Sequence, residues 1–156
     1  MTSSHGYGVS IRQAAPRTIA AVEAQVPLAA IPATFARYLD QVYAAARAGA
    51  VHLDGQNVFL YRDVPGSPGE GLVAFGVGVI APFTASGPVT PVVLPAGEVA
   101  TTTHRGSYAT LRAAHEAVIA WCRSEGRDLT GPRWEVYGHW TADESQLQTD
   151  VFYMLR

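Results

Sequence analysis

Apolar and polar positions alternate in short runs along this chain, and two longer stretches switch to helical spacing. Tyr7 to Gln13 and Thr18 to Val26 read as strands. From Pro32 to Arg47, Phe35, Leu39, Val42 and Ala46 form one apolar stripe. Pro32 suits the start of that helix and Gly49 its end. Asn57 to Arg62 and Gly71 to Ile80 are β-rich again, separated by a turn cluster from Pro65 to Gly69. The order then repeats. Val89 to Leu94 and Glu98 to His104 predict strands joined through Pro95, Ala96 and Gly97. A helix follows, with Ser107 as N-cap, a stripe of Leu111, Ala114, Val118 and Trp121 or Cys122, and Gly126 as its stop. Trp134 to Trp140 and Gln148 to Leu155 are the last strands, linked by a polar turn from Thr141 to Gln146.

This repetition implies a single domain over residues 1–156, with repeat halves of about 7–82 and 88–156. The expected fold class is α+β. Two pseudo-symmetric strand–helix–strand–strand repeats form a curved, mostly antiparallel sheet, with helices on one face and a ligand cleft on the other. In the alignment of the halves, Asn57 to Tyr61 answers Arg133 to Tyr137. Phe59 and Tyr61 then stand where the later half carries Glu135 and Tyr137.

Composition narrows the function classes. A 156-residue chain that is 48% hydrophobic and 15% charged builds a packed globular core. Its formal charge of -2, with no basic patch, lacks the footprint of a nucleic-acid binder. Thirteen acidic against 11 basic residues also make a poor mimic of DNA, although a protein partner stays open. Cys122 is the only cysteine, so no intrachain disulfide forms, which fits a cytoplasmic protein. The N-terminal residues lack the basic-then-apolar order of a signal peptide, and no apolar run is long enough to span a membrane.

Common catalytic templates do not fit. His5, His52, His104, His115 and His139 include no pair four apart on a helix, and there is no cysteine cluster, so no metal is expected. The glycines of Gly76 to Ala81 lie inside a strand that runs into Pro82, with no helix opening there, so no dinucleotide cofactor is expected. No nucleophile elbow or phosphate-binding loop occurs. Cys122 lies on a helix stripe and reads as a small buried hydrophobe.

Glu135 stands out against this background. On an extended strand Glu135, Tyr137 and His139 share one face, and Trp134, Val136 and Trp140 share the other. A carboxylate among aromatics costs free energy if buried without a partner. Either it pairs with an arginine such as Arg105 or Arg133 at a solvated edge, or it awaits a ligand. Trp134 and Trp140 are expected to pack under the helices. Phe59, Tyr61 and Tyr137 divide between core and pocket lining. Tyr108 opens a helix and leans toward the cleft or caps the core. Tyr153 is expected on the cleft side, because the Asp150 face should point outward.

The run from His104 to Leu111, then Trp121, Gly126, Pro132, the run from Trp134 to Tyr137 and the run from Thr149 to Leu155 carry a resemblance. Over roughly Tyr7 to Arg156 the chain resembles the gyrase-inhibitor-like small-molecule-binding domain. The same domain serves as the effector-binding domain of bacterial multidrug-responsive transcription activators. The resemblance implies a cleft for hydrophobic, often cationic compounds, used for drug or effector sensing or sequestration. It maps the family's ligand-contacting glutamate to Glu135, with Tyr137, Phe59, Tyr61, Tyr108 and Tyr153 as further contacts. The regulators carry a DNA-binding helical domain ahead of this one, and none precedes Tyr7, so a stand-alone member is expected. Some stand-alone members resemble hydrolases that open strained cyclopropane rings of DNA-alkylating compounds. In that alternative Glu135 is the catalytic residue, since a desolvated carboxyl holds its proton more readily and can exchange it near neutral pH. For binding, each cation–π contact contributes ~0.5–2 kcal/mol, and apolar burial adds about 25 cal/mol per Å².

Overall fold

The computed structural model describes residues 6–156; residues 1–5, with His5, lie outside the described residues. In chain order the elements are β1 Ser10–Ala14, β2 Arg17–Pro27, α1 Ile31–Arg47, β3 Leu53–Asp63, β4 Glu70–Val79, β5 Thr90–Leu94, β6 Gly97–Arg105, α2 Arg112–Ser124, β7 Leu129–Tyr137 and β8 Gln148–Leu155. They fall into two compact units. One is Pro16–Leu94, and the other joins the described residues up to Ala15 with Pro95–Arg156. The architecture is α+β, and every strand pairing within each unit is antiparallel.

In the first unit the strand order is β3-β4-β2-β5, and in the second it is β1-β6-β8-β7. Each contains a strand–helix–strand–strand run, β2-α1-β3-β4 or β6-α2-β7-β8, plus one strand from outside that run. β5 lies along β2, with Ile19 opposite Val92, and β1 lies along β6, with Ile11 opposite Ala100. Relative to halves at 7–82 and 88–156, the strands at 10–14 and 90–94 change places. Alternating polarity marks a segment as a strand but does not name its neighbour.

Both helices end in the same way. At the end of α1 the Gly49 N–H donates to the Ala46 carbonyl and the Ala50 N–H to the Ala45 carbonyl. At the end of α2 the Gly126 N–H donates to the Arg123 carbonyl and the Arg127 N–H to the Cys122 carbonyl. These paired bonds need a left-handed residue, and glycine adopts φ of 82° at Gly49 and 67° at Gly126 without a Cβ clash. At the start of α2, Ser107 caps the Tyr108–Thr110 3₁₀ turn that leads into the helix, accepting from the Ala109 N–H. β7 is shifted from expectation. It begins at Leu129, passes an irregularity between Leu129 and Arg133, and ends at Tyr137, so His139 and Trp140 lie beyond it.

Each helix packs against strands of its own unit; α1 buries Leu39 and Val42 of its stripe and leaves Phe35 exposed. α1 lays Tyr38 flat on Phe75, with centroids 4.9 Å apart. Full burial of Phe75 contributes roughly 2–3 kcal/mol. α2 sets Leu111, Ala114, Val118, Trp121 and Cys122 against Ala100, Val151, Tyr153 and Leu155. That second packing surface decides where Glu135 points. Among the described residues no helix is long and apolar enough to cross a membrane.

Candidate functional site

β7 and β8 pair with Arg133 opposite Tyr153, Glu135 opposite Val151 and Tyr137 opposite Thr149. Directly opposed residues project to the same face. Val151 and Tyr153 belong to the core under α2, so Glu135 also faces that helix. Trp134 projects to the other face, where it stacks on Phe152 with centroids 5.5 Å apart. Two expectations are thereby corrected: that Trp134 and Trp140 pack under the helices, and that Glu135, Tyr137 and Tyr153 line a cleft on the face away from them. Strand alternation separated Trp134 from Glu135 but could not say which face α2 covers. Trp140 lies past the strand end and is exposed.

Glu135 is 5% exposed. Its Oε2 lies 2.6 Å from His115 Nε2, and the Tyr137 hydroxyl donates to its Oε1 at 2.6 Å. The other ring nitrogen of His115, Nδ1, is 2.7 Å from the Tyr153 hydroxyl. An ionised carboxyl only accepts, so Nε2 carries a hydrogen. With a neutral ring, Nδ1 accepts from Tyr153; with a charged ring, it donates to Tyr153. Buried polar groups need such partners, and bonds to an ionised group are the stronger kind.

Rings close the outer side. Tyr108 meets Tyr137 edge to face, at 5.5 Å and 79°, and His115 meets Tyr153 at 5.6 Å and 74°. Tyr108 is 39% exposed and is the outermost ring of the group. Burial raises its phenol above the ordinary tyrosine value.

Four of the six expected residues, Glu135, Tyr137, Tyr108 and Tyr153, therefore cluster around one carboxylate. Phe59 and Tyr61 lie in the Pro16–Leu94 unit on β3, at register positions matching Glu135 and Tyr137. There Phe59 packs edge-on to Phe75 at 5.2 Å and lies 5.9 Å from Phe35 of α1. The same strand face that carries a carboxylate in one unit is filled with rings in the other.

Arg105 and Arg133 are the arginines that the sequence offers Glu135. Arg105 donates to Gln148 on the opposite face. Arg133, two residues from Glu135 on the same face, donates to the Gly131 carbonyl. The residue not anticipated is His115. Its one sequence signal is its place beside Ala114, four residues after Leu111, at the margin of the apolar stripe of α2.

Other chemistry is sparse. Among the described residues no group of three His, Cys, Asp or Glu side chains is placed to hold a metal ion. Cys122 is buried, and burial raises its thiol above the usual value while Arg127 opposes that shift. A hollow of about 560 Å³ lies on the face away from α2, lined by Arg12, Thr101, Thr103, Arg105, Asp150 and Phe152. It does not include Glu135. Its lining is polar and threonine-rich, with the rings of Tyr7 and Phe152 and no buried charge.

Over residues 8–156 the chain matches the family described as the GyrI-like small molecule binding domain. The chain belongs to this family. No curated protein matches it. Among solved structures, this GyrI-like chain is similar to the C-terminal domain of EcmrR, with a TM-score of 0.76 and 19% identity over 97% of this chain and 98% of that one. It is also similar to SAV2435 bound to tetraphenylphosphonium, with a TM-score of 0.66 and 12% identity over 96% and 94% of the two chains. A hydrolase from Listeria innocua gives 0.64 and 11% identity over 95% and 91%. These likenesses establish the GyrI-like fold, and the family match makes the chain a small-molecule binding domain.

Proposed function

We propose that this GyrI-like domain binds hydrophobic cationic or aromatic molecules at the Glu135 cluster and serves drug or effector sensing or sequestration. The observation that carries this reading is a 5%-exposed carboxylate bonded to His115 and Tyr137, with the rings of Tyr153 and Tyr108 packed against those two side chains. A lipophilic cation gains a counter-charge and ring faces at once, and exclusion of water strengthens both. The likeness to SAV2435, which is bound to a lipophilic phosphonium, supports this ligand class. A single buried cysteine suits a reducing, cytoplasmic setting.

Calorimetry with tetraphenylphosphonium and with neutral triphenylphosphine oxide tests the reading. Glu135→Gln should weaken the phosphonium about tenfold or more, a loss of about 1.4 kcal/mol. The neutral compound should change little. Equal losses for the two compounds would remove any charge-reading role for Glu135.

The contact of His115 with Glu135 favours a second reading, hydrolysis, because a histidine–carboxylate pair can move a proton. One structural relative is described as a hydrolase. Incubation with a cyclopropane-bearing alkylator, followed by mass spectrometry, separates the two. Multiple turnovers lost in Glu135→Gln favour hydrolysis; consumption below one equivalent and unchanged in that variant leaves binding.

A further inference from the structure

We infer that His115 sets the charge preference of the Glu135 site: its imidazolium occupies the place of a ligand cation, so binding a cation expels the histidine proton. This rests on the Glu135 reading above and adds a specificity-determining residue to it.

The geometry is direct. Both carboxylate oxygens are engaged, Oε2 by His115 and Oε1 by the Tyr137 hydroxyl. An arriving cation meets one of two states. With His115 charged, the pair is electrically neutral, and the ligand's charge is placed against a like charge. With His115 neutral, the imidazolium no longer offsets the carboxylate's charge. In a partly dry site this difference is weakly screened.

Two features let the histidine switch. Its side chain is 19% exposed, which gives the proton an outlet to solvent. Tyr153 serves Nδ1 in either state, donating to the neutral ring and accepting from the charged one. Neither state orphans a hydrogen bond to Tyr153.

The surrounding titratable and charged groups can be named. On α2, Arg112 and Glu116 are exposed and pair with each other at 3.4 Å. β7 contributes Glu135, Tyr137 and Arg133, β8 contributes Tyr153, and the turn before α2 contributes Tyr108. β6 contributes His104, which is bonded to Tyr7 and to the Ser107 carbonyl. Arginine stays charged throughout the useful range and adds a constant offset without a slope. The histidines among these groups are His115 and His104. Of these two, His115 is the one in contact with Glu135.

The test is calorimetry on the full chain with tetraphenylphosphonium from pH 5.5 to 8.5, in buffers of differing ionisation heat. On the acid side, close to one proton should leave per cation bound, and affinity should climb about tenfold per pH unit before levelling. Triphenylphosphine oxide should show no slope. His115→Gln keeps a donor toward Glu135 and should bind the phosphonium with a flat profile, whereas His104→Gln should keep the slope. A flat wild-type profile with intact binding overturns the role of His115 and leaves the Glu135 reading standing. A slope that survives in His115→Gln does the same. No phosphonium binding at any pH overturns both. The proton count is read on the unaltered chain, so it decides the matter even where a variant folds poorly.

Discussion

Replacing His115 by alanine removes a 2.6 Å bond to a buried carboxylate and a 2.7 Å bond to Tyr153. A hydrogen bond to a charged group contributes about 1.5–3 kcal/mol and a neutral one about 1. With partial screening at a side chain that is 19% exposed, His115→Ala should cost about 3 kcal/mol. For a chain of this length that lowers Tm by about 6–12 °C. Stability loss alone would not identify the cause, because the imidazole also packs against the Tyr153 ring. A double-mutant cycle isolates it. In a Glu135→Gln background the charge-assisted part is gone, and the same His115→Ala change should cost about 1 kcal/mol. The coupling is then about 2 kcal/mol, read from urea unfolding of four proteins at pH 7 with equal denaturant slopes. A coupling below about 0.5 kcal/mol would refute the reasoning, because separate, uncoupled sites add to within that margin.

The remaining predictions concern the scaffold. Phe75→Ala removes a fully buried ring that stacks on Tyr38 and meets Phe59 edge-on, and should cost about 3–5 kcal/mol in urea unfolding. Gly76→Ala places a Cβ 2.9 Å from the Ala20 carbonyl oxygen and 2.9 Å from Ala21 Cβ, contacts that no rotamer relieves. It should destabilise by about 1–3 kcal/mol, and a neutral result would show that the β2–β4 pair can spread. Cys122, whose thiol burial raises, should react slowly with a disulfide reagent at pH 8 in the native protein and fast in urea. Equal rates would mean the end of α2 opens readily.

Much of the scaffold was legible in one dimension because its signals are local. Helical spacing located α1 and α2, and the glycines that end them are where left-handed residues must be. Period-two alternation placed Glu135 with Tyr137 and apart from Trp134, as the register with β8 has it. The bulge before Arg133 and the end of β7 at Tyr137 were harder to place, because neither a β irregularity nor the onset of a polar turn disturbs the alternation ahead of it.

By itself, then, the amino-acid order determined the elements, their apolar faces and the grouping of a carboxylate with tyrosines. Alternation is symmetric between the two sides of a strand, so it could not say that α2 covers the Glu135 side and leaves Trp134 to stack on Phe152. Nor could it name His115, twenty positions from Glu135, as the carboxylate's partner. It likewise could not seat β1 beside β6 and β5 beside β2. Those choices come from long-range packing, where the free energy of covering one face of a sheet is settled by three-dimensional fit.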